Sequence, residues 1–149
     1  MDAYSAYTHL INQASLRVGE TLIGKHKFNL FAKQHGIKLK HFWADNHPFS
    51  SKAFLEDLAG NEQSVSYSGV GAHFQNGVAE RAQYTVTLWA RSMMMHQLLH
   101  WPEAFDPDLW PFALEHATYI WNNLPHQESK LTPLELFTGV KQCDNGPIV

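Results

Sequence analysis

The sequence predicts an α/β fold in which short strands alternate with helices. Strand-like segments, rich in β-branched or aromatic residues or alternating apolar with polar ones, occupy residues 7–11, 37–43 and 63–67. The longer segments between them, 20–35 and 51–61, carry apolar residues near helical spacing. The order is therefore βαβαβ. In such sheets functional groups collect beyond the carboxyl ends of the strands, so residues that follow a strand are the first candidates for a site.

The elements of the first half have recognisable boundaries. The helix over 20–35 stops before Gly36, a residue typical of helix C-caps. The strand over 37–43 alternates and then becomes apolar, and Asp45 follows its carboxyl end. Ser50 or Ser51 can cap the next helix, which runs through Asn61. A strand over 63–67 then leads into the glycine-containing loop 69–71.

The second half is predicted to be helical. A long helix over 76–100 places one stripe of residues at steps of three and four, which predicts that they are buried: Val78, Ala82, Thr85, Val86, Trp89, Met93 and His96. Glu80 lies on the opposite face with Gln83, Tyr84, Thr87 and Arg91. A helix over 110–123 is expected to be largely buried through Phe112, Ala113, Ala117, Tyr119, Ile120 and Trp121. Thr132 and Pro133 start a short helix that ends at Gly139.

Composition narrows the classes of protein that fit. The 149 residues are 44% apolar and 13% aromatic, which suits one globular domain and excludes a disordered chain. The net charge of −3 argues against a tight stand-alone binder of nucleic acid, although residues 17–41 hold six basic residues and one acid. One cysteine, Cys143, allows no internal disulfide. No stretch has the length and apolarity of a membrane span, so no membrane partner is expected.

Asp45 and Glu80 are the candidate metal ligands. Thirty-four residues separate them, and the strand end and the first helical turn can converge at the carboxyl edge of the sheet. Hard oxygen ligands of this kind suit Mg²⁺, and two such ions roughly 4 Å apart activate the attacking oxygen and stabilise the leaving one in phosphoryl transfer. Such sites use three carboxylates more often than two. Either residue taken alone is more often a solvated surface acid.

Two blocks carry a resemblance to a known family. Ala-Asp-Asn at 44–46 with the segment 71–81, which ends in Asn-Gly-Val-Ala-Glu-Arg, resembles the second Asp and the Glu of the integrase catalytic core of long-terminal-repeat retrotransposons. The stretch 109–141, with Thr-Pro-Leu-Glu at 132–135 and Gly-Val-Lys at 139–141, is more similar to the copia-type branch than to the gypsy or retroviral ones. The resemblance covers nearly the whole chain.

The resemblance implies a ribonuclease H-like core with a mixed sheet, followed by C-terminal helices. Residues 1–149 would be a single partial catalytic core, with the core proper at about 1–100 and a helical extension at 101–149. It further implies an Asp, Asp, Glu triad that holds Mg²⁺ or Mn²⁺, two ions in an intact core, and joins the element's DNA ends to target DNA. A homo-oligomer and an intracellular, nuclear place of action are also expected.

The first Asp of the triad is the uncertain member. Asp2 is the tempting choice, but the family fold has three antiparallel strands before its first helix, and residues 2–20 have room for about one strand and a turn at some 3.3 Å per residue. Residues 1–7 instead resemble the segment near the end of the second strand. We therefore expect no first catalytic Asp here, a chain that begins after its first strand, and no activity of the chain alone.

The DNA-facing surface departs from the family pattern. His47 and Pro48 stand where the family usually has Gly after Asp-Asn, which alters the loop beside the metal site. Candidate DNA contacts are Asn76, Gln83, Tyr84, Thr87, Lys38 and Lys40. Gln83, Tyr84 and Thr87 stand where a DNA-facing helix often has Lys, so affinity should be weak. The basic stretch from Lys25 to Lys40 could hold phosphates or be a solvated helix face.

Other groups have structural interpretations. His96 and His100 are four residues apart and could share a metal, yet a packing or capping role is favoured because His96 falls on the buried stripe. Trp89, Trp101, Trp110 and Trp121 are expected to pack in the core or a dimer contact. Two functions stay open: a catalytic integrase core fragment, or a non-catalytic module derived from it that binds a protein or nucleic acid, with a decaying remnant as a third possibility.

Overall fold

The computed structural model describes residues 1–15, 17–44, 49–67, 77–127 and 129–141. In chain order the elements are α1 (Val18–Gln34), β1 (His41–Ala44), α2 (Lys52–Gly60), β2 (Ser64–Tyr67), α3 (Gly77–His100), α4 (Trp110–Asn123) and α5 (Pro133–Thr138). Two 3-10 helices, Pro102–Ala104 and Pro107–Leu109, lie between α3 and α4. Among the described helices, none has the length and apolarity needed to cross a membrane.

The chain divides into two compact units. The first, which we call the sheet unit, contains residues 11–84 and therefore both strands. The second, the helical unit, joins residues 1–10 to residues 85–149. Helix α3 contributes its first two turns to the sheet unit and the rest to the helical unit.

The sheet unit is built on a β-α-β crossover. β1 and β2 pair in parallel with His41 opposite Ser64 and Ala44 opposite Tyr67, and α2 connects them. Ser51 caps α2 by accepting a hydrogen bond from the Phe54 amide, as the sequence predicts. Phe54 and Leu58, one helical turn apart on α2, are both only 2% exposed and form the core face of this helix.

Glycines shape α1 at two places. Gly36 adopts φ of +73°, and the amides of Gly36 and Ile37 donate to the carbonyls of Lys33 and Ala32 at 3.0 and 2.9 Å. This is a Schellman motif, which confirms the predicted helix end. Gly24 lets the chain at residues 11–13 cross the helix closely, because a Cβ there would lie 3.1–3.2 Å from Gln13 and Ile11 atoms.

The core of the helical unit lies between α3 and α4. Val86, Ala90 and Ala117 are buried, and three tryptophans, Trp89, Trp110 and Trp121, pack against them with Met93, Ala113 and Leu114. The small residues at the centre let the helix backbones approach closely, while the indoles cover the flanks. The packing role expected for these three tryptophans is confirmed, whereas Trp101 is 57% exposed, so it does not pack in the core and only the dimer-contact alternative stays a prediction.

The predicted strand over residues 7–11 does not form. Within the described part of the chain, residues 7–11 belong to no strand; the Asn122 side chain accepts from the Thr8 amide at 2.9 Å and donates to the Thr8 carbonyl at 2.8 Å. One side-chain amide thus supplies both hydrogen bonds that a neighbouring strand would have given this residue. The aromatic Tyr7 packs against a helix residue and not in a sheet, since its ring stacks on that of Phe137 with the centroids 4.6 Å apart.

Two helix faces are also less buried than predicted. Val78 and His96, assigned to the buried stripe of α3, are exposed, as are Phe112 and Tyr119 of α4. The 24 residues of α3 extend about 36 Å and the 14 residues of α4 about 21 Å, so α4 cannot cover both ends of its longer neighbour. Phe112 and Tyr119 lie on the side of α4 away from Ala117, so this mostly apolar helix packs only one face.

Candidate functional site

The carboxyl ends of β1 and β2 form the edge at which the sequence places its metal site. Ala44 and Tyr67 are the last residues of the two paired strands. The phenol of Tyr67 donates a hydrogen bond to the Phe49 carbonyl at 2.8 Å, so the described residues on either side of the 45–48 segment are both tied to the end of β2. Asp45 follows β1 directly in sequence, as predicted, and itself lies outside the described residues.

Glu80 lies in the first turn of α3, which belongs to the sheet unit with β1 and β2. A carboxylate is favoured at this end of a helix by the positive end of the helix dipole. The face that the sequence assigns to it is exposed at every position: Glu80, Gln83, Tyr84, Thr87 and Arg91. The prediction that this face avoids the core is therefore confirmed, while Asn76 lies outside the described residues.

The carboxylate of Asp2 organises its own turn. One oxygen accepts hydrogen bonds from the amides of Tyr4 and Ser5 at 3.2 and 2.7 Å and from the Ser5 hydroxyl at 2.6 Å. Backbone bonds from the Asp2 amide to the Tyr7 carbonyl and from the Ala6 amide to the Asp2 carbonyl close the same turn. Ser5 is fully buried, so this carboxylate stabilises a packed local structure in the helical unit.

The basic stretch divides into buried and exposed members. Lys38 forms an exposed ion pair with Glu62 at 2.7 Å, and the hydrogen bond from Lys38 lowers the pKa of the Glu62 carboxyl. Lys40 is exposed, and no carboxylate in the described ranges pairs with it. Lys25 is different: its side chain is 3% exposed and pairs with Asp57 of α2. A phosphate-binding or solvated role for Lys25 is therefore wrong.

Asp57 joins two basic residues of α1. Besides Lys25, it contacts the His26 imidazole through its second oxygen at 2.7 Å. Burial opposes ionisation of this carboxyl, but the hydrogen bonds and charges of Lys25 and His26 outweigh it and hold the pKa of Asp57 below its usual value. No local sequence pattern indicates this cluster, because Asp57 lies 32 residues from Lys25 and 31 residues from His26 in the chain.

A groove at the amino-terminal edge of the strands was not predicted. It has a volume of about 420 Å³ and is lined by the end of α1 and by the segments leading into β1 and β2. The side-chain amides that line the groove already have hydrogen-bond partners within the protein, since the Gln63 amide donates to both the Asn29 side chain and the Leu39 carbonyl at 3.1 Å. It lies at the sheet edge opposite to the carboxyl ends, so it is separate from the candidate metal site.

His96 and His100 are both exposed in the last turns of α3. Their ring centroids are 4.2 Å apart, and each lies 5.8 Å from the Trp101 ring. The expected core packing of His96 is wrong. Across the ranges that the structure describes, no group of three or more His, Cys, Asp or Glu side chains comes together to hold a metal ion.

Solved structures similar to this chain include two of the catalytic core domain of the HTLV-2 integrase in complex with magnesium. The trimeric form has a TM-score of 0.54 and the match covers 78% of this chain and 69% of that chain. The dimeric form has a TM-score of 0.52, with 78% and 68% covered. Sequence identity is 21% in both cases, so the likeness is one of fold.

No protein-family model matches the chain, and no curated protein matches it. The fold, a mixed α/β arrangement with a small parallel sheet, is similar to that of the HTLV-2 integrase catalytic core domain.

Proposed function

We propose that the chain is an integrase catalytic core fragment built for Mg²⁺-dependent polynucleotidyl transfer, which joins DNA ends to target DNA. The observation that carries the proposal is the fold shared with the HTLV-2 integrase cores. The blocks at 44–46, 71–81 and 109–141 support the copia-type branch of retrotransposon integrases as its origin. Its partners would be the element's DNA ends and target DNA, and its place of action the nucleus.

Asp45 and Glu80 are the proposed metal ligands. Asp45 is the next residue after the end of β1, and Glu80 is exposed in the first turn of α3 within the same unit. Carboxylate oxygens suit Mg²⁺ or Mn²⁺, and two ions would activate the attacking oxygen and stabilise the leaving one. The two HTLV-2 structures were solved with magnesium, which supports this choice of cation.

We further propose that the chain alone does not catalyse the reaction. Two carboxylates leave the metal pair short of its third protein ligand, and the carboxylate of Asp2 is engaged in its own turn. Weak DNA contact would come from Asn76, Gln83, Tyr84, Thr87, Lys38 and Lys40, with Lys38 partly neutralised by Glu62. The trimeric and dimeric forms of the HTLV-2 core support a homo-oligomer.

Titration of the whole chain with Mg²⁺ tests the proposed ligands. We expect Asp45→Asn and Glu80→Gln each to weaken Mg²⁺ binding about tenfold or more, because each removes one anionic ligand. Glu103→Gln, which removes an exposed carboxylate in the helical unit, should leave binding unchanged. Thermal unfolding with and without Mg²⁺ should show the same ranking.

A non-catalytic interaction module is the second candidate. The observation that favours it is the apolar surface of the helical unit, where Leu99, Phe112 and Tyr119 are 64–73% exposed. If neither Asp45→Asn nor Glu80→Gln changes Mg²⁺ affinity or stability in Mg²⁺, the proposed metal site does not exist and this module becomes the better description.

A further inference from the structure

The C-terminal turns of α3 present two imidazoles on one side of the helix. His96 and His100 are one turn apart, both are exposed, and their rings are tilted by 43° with centroids 4.2 Å apart. Residues at i and i+4 are neighbours on a helix surface, which is the spacing that paired histidine ligands use on helices. Rotation of the side chains can therefore direct one nitrogen of each ring toward a shared ion.

The two rings are available for binding. Among the described residues, no hydrogen bond or ion pair engages either imidazole. The backbone beneath them is well held: the Trp101 amide donates to the Gln97 carbonyl at 2.8 Å, and the Gln97 side chain donates to the Ala104 carbonyl at 2.8 Å. The ligands thus sit on an ordered helix end, so little backbone order has to be gained on binding.

The chemistry of the pair selects the ion. Imidazole nitrogens favour Zn²⁺, Cu²⁺ and Ni²⁺, whereas Mg²⁺ requires oxygen ligands. A cation is also favoured at this place by the negative end of the helix dipole. Two protein ligands leave two positions of a tetrahedral Zn²⁺ shell for water.

We propose that His96 and His100 form a bidentate site for Zn²⁺ and related transition-metal ions at the end of α3. This site is independent of the carboxylate site at the sheet edge, since it uses different ligands and a different class of cation. Trp101, whose ring lies 5.8 Å from both imidazoles, forms one side of the site and reports on it.

Calorimetric titration of the whole chain with Zn²⁺ tests the proposal. We expect His96→Gln and His100→Gln each to weaken Zn²⁺ binding about tenfold or more, because each leaves a single imidazole. His116→Gln, which removes an exposed histidine of α4, is the matched control and should change nothing. Asp45→Asn and Glu80→Gln should also retain Zn²⁺ binding, which separates this site from the proposed catalytic one.

Two further readouts do not depend on the histidine variants. Zn²⁺ should shift the imidazole ¹⁵N resonances of His96 and His100 together, and Cu²⁺ should quench fluorescence that Trp101→Phe removes. The proposal is overturned if neither histidine variant alters Zn²⁺ affinity, if only one of them does, or if the two imidazole signals respond at different Zn²⁺ concentrations.

Discussion

Asp57 of α2 forms an ion pair with a buried side chain of α1 in the sheet unit. It pairs with Lys25, whose ammonium group also lies 5.7 Å from the ring centroids of Phe42 and Phe54. One lysine of α1 therefore contacts β1 and α2 at the same point. A buried ammonium group needs its carboxylate, because the protein around it replaces the water that would otherwise solvate the charge.

Removing that carboxylate should destabilise the chain. We expect Asp57→Ala to lower the free energy of unfolding by about 3 kcal/mol, since Lys25 stays buried without its anion. The double variant Lys25→Met/Asp57→Leu should recover much of the loss by replacing the pair with apolar groups. Denaturant unfolding measures both. Glu62→Ala, which breaks the exposed pair with Lys38, should have little effect; an equal loss there would contradict the account.

The same residue predicts a dependence of stability on pH. Folding lowers the pKa of Asp57, so on acidification the unfolded chain takes up this proton before the folded chain does. The contribution of the pair is therefore complete above the unfolded pKa, about 3.9, and is lost as the pH falls through the lower folded value. In acid unfolding, the difference in stability between wild type and Asp57→Ala should shrink over this range, and a constant difference would be contrary evidence.

Among the secondary-structure elements, α4 holds the N-terminal segment in place through the Asn122 side chain and without a sheet. Its side-chain amide makes two hydrogen bonds to the Thr8 backbone, and Trp121 beside it donates from its indole to the Ala6 carbonyl at 3.0 Å. Consecutive residues of α4 thus anchor the N-terminal segment. Asn122 is 7% exposed, so these bonds are protected from competition with water.

Loss of this anchor should release the segment. We expect Asn122→Ala to cost about 2 kcal/mol, because the amide and carbonyl of Thr8 lose their partners. Hydrogen exchange of the Thr8 amide should accelerate more than that of amides in the centre of α4. His116→Gln on the exposed side of the same helix is the control. Unchanged exchange at Thr8 in the Asn122 variant would show that the anchor contributes nothing.

The elements that the sequence predicts well are those with local signals. The end of α1 at Gly36, the cap of α2 at Ser51 and the start of α5 at Thr132 and Pro133 all depend on residues within a turn of each other. The strand predicted over 7–11 fails for the opposite reason. Its composition favours a strand, but its partner is a side chain 114 residues away, which no local pattern indicates.

At the scale of the whole chain, the site is predicted less fully than the fold. Periodicity placed Glu80 on the exposed face of α3 because helix geometry fixes the angle between residues. Periodicity cannot show which positions on a helix face have a packing neighbour, so it assigns Val78 and His96 to the core although both are exposed. Ion pairs such as that of Lys25 with Asp57 depend on tertiary contact and carry no spacing signal.

The whole chain should lack strand-transfer activity by itself. We expect no joining of DNA ends to target DNA in Mg²⁺ or Mn²⁺, because the proposed metal site has only the carboxylates of Asp45 and Glu80 and the carboxylate of Asp2 is held in its own turn. A gel assay with labelled DNA ends measures this. Metal-dependent joining that disappears in Asp2→Asn would show that Asp2 completes the triad.

Anomalous diffraction from crystals of the whole chain soaked in Mn²⁺ would show whether Asp45 and Glu80 hold a divalent cation at the carboxyl edge of the sheet. We expect a manganese peak with carboxylate oxygens of both residues in its coordination shell. A manganese peak bound by neither residue, or carboxylates too far apart for any arrangement of two ions to join them, would contradict this expectation.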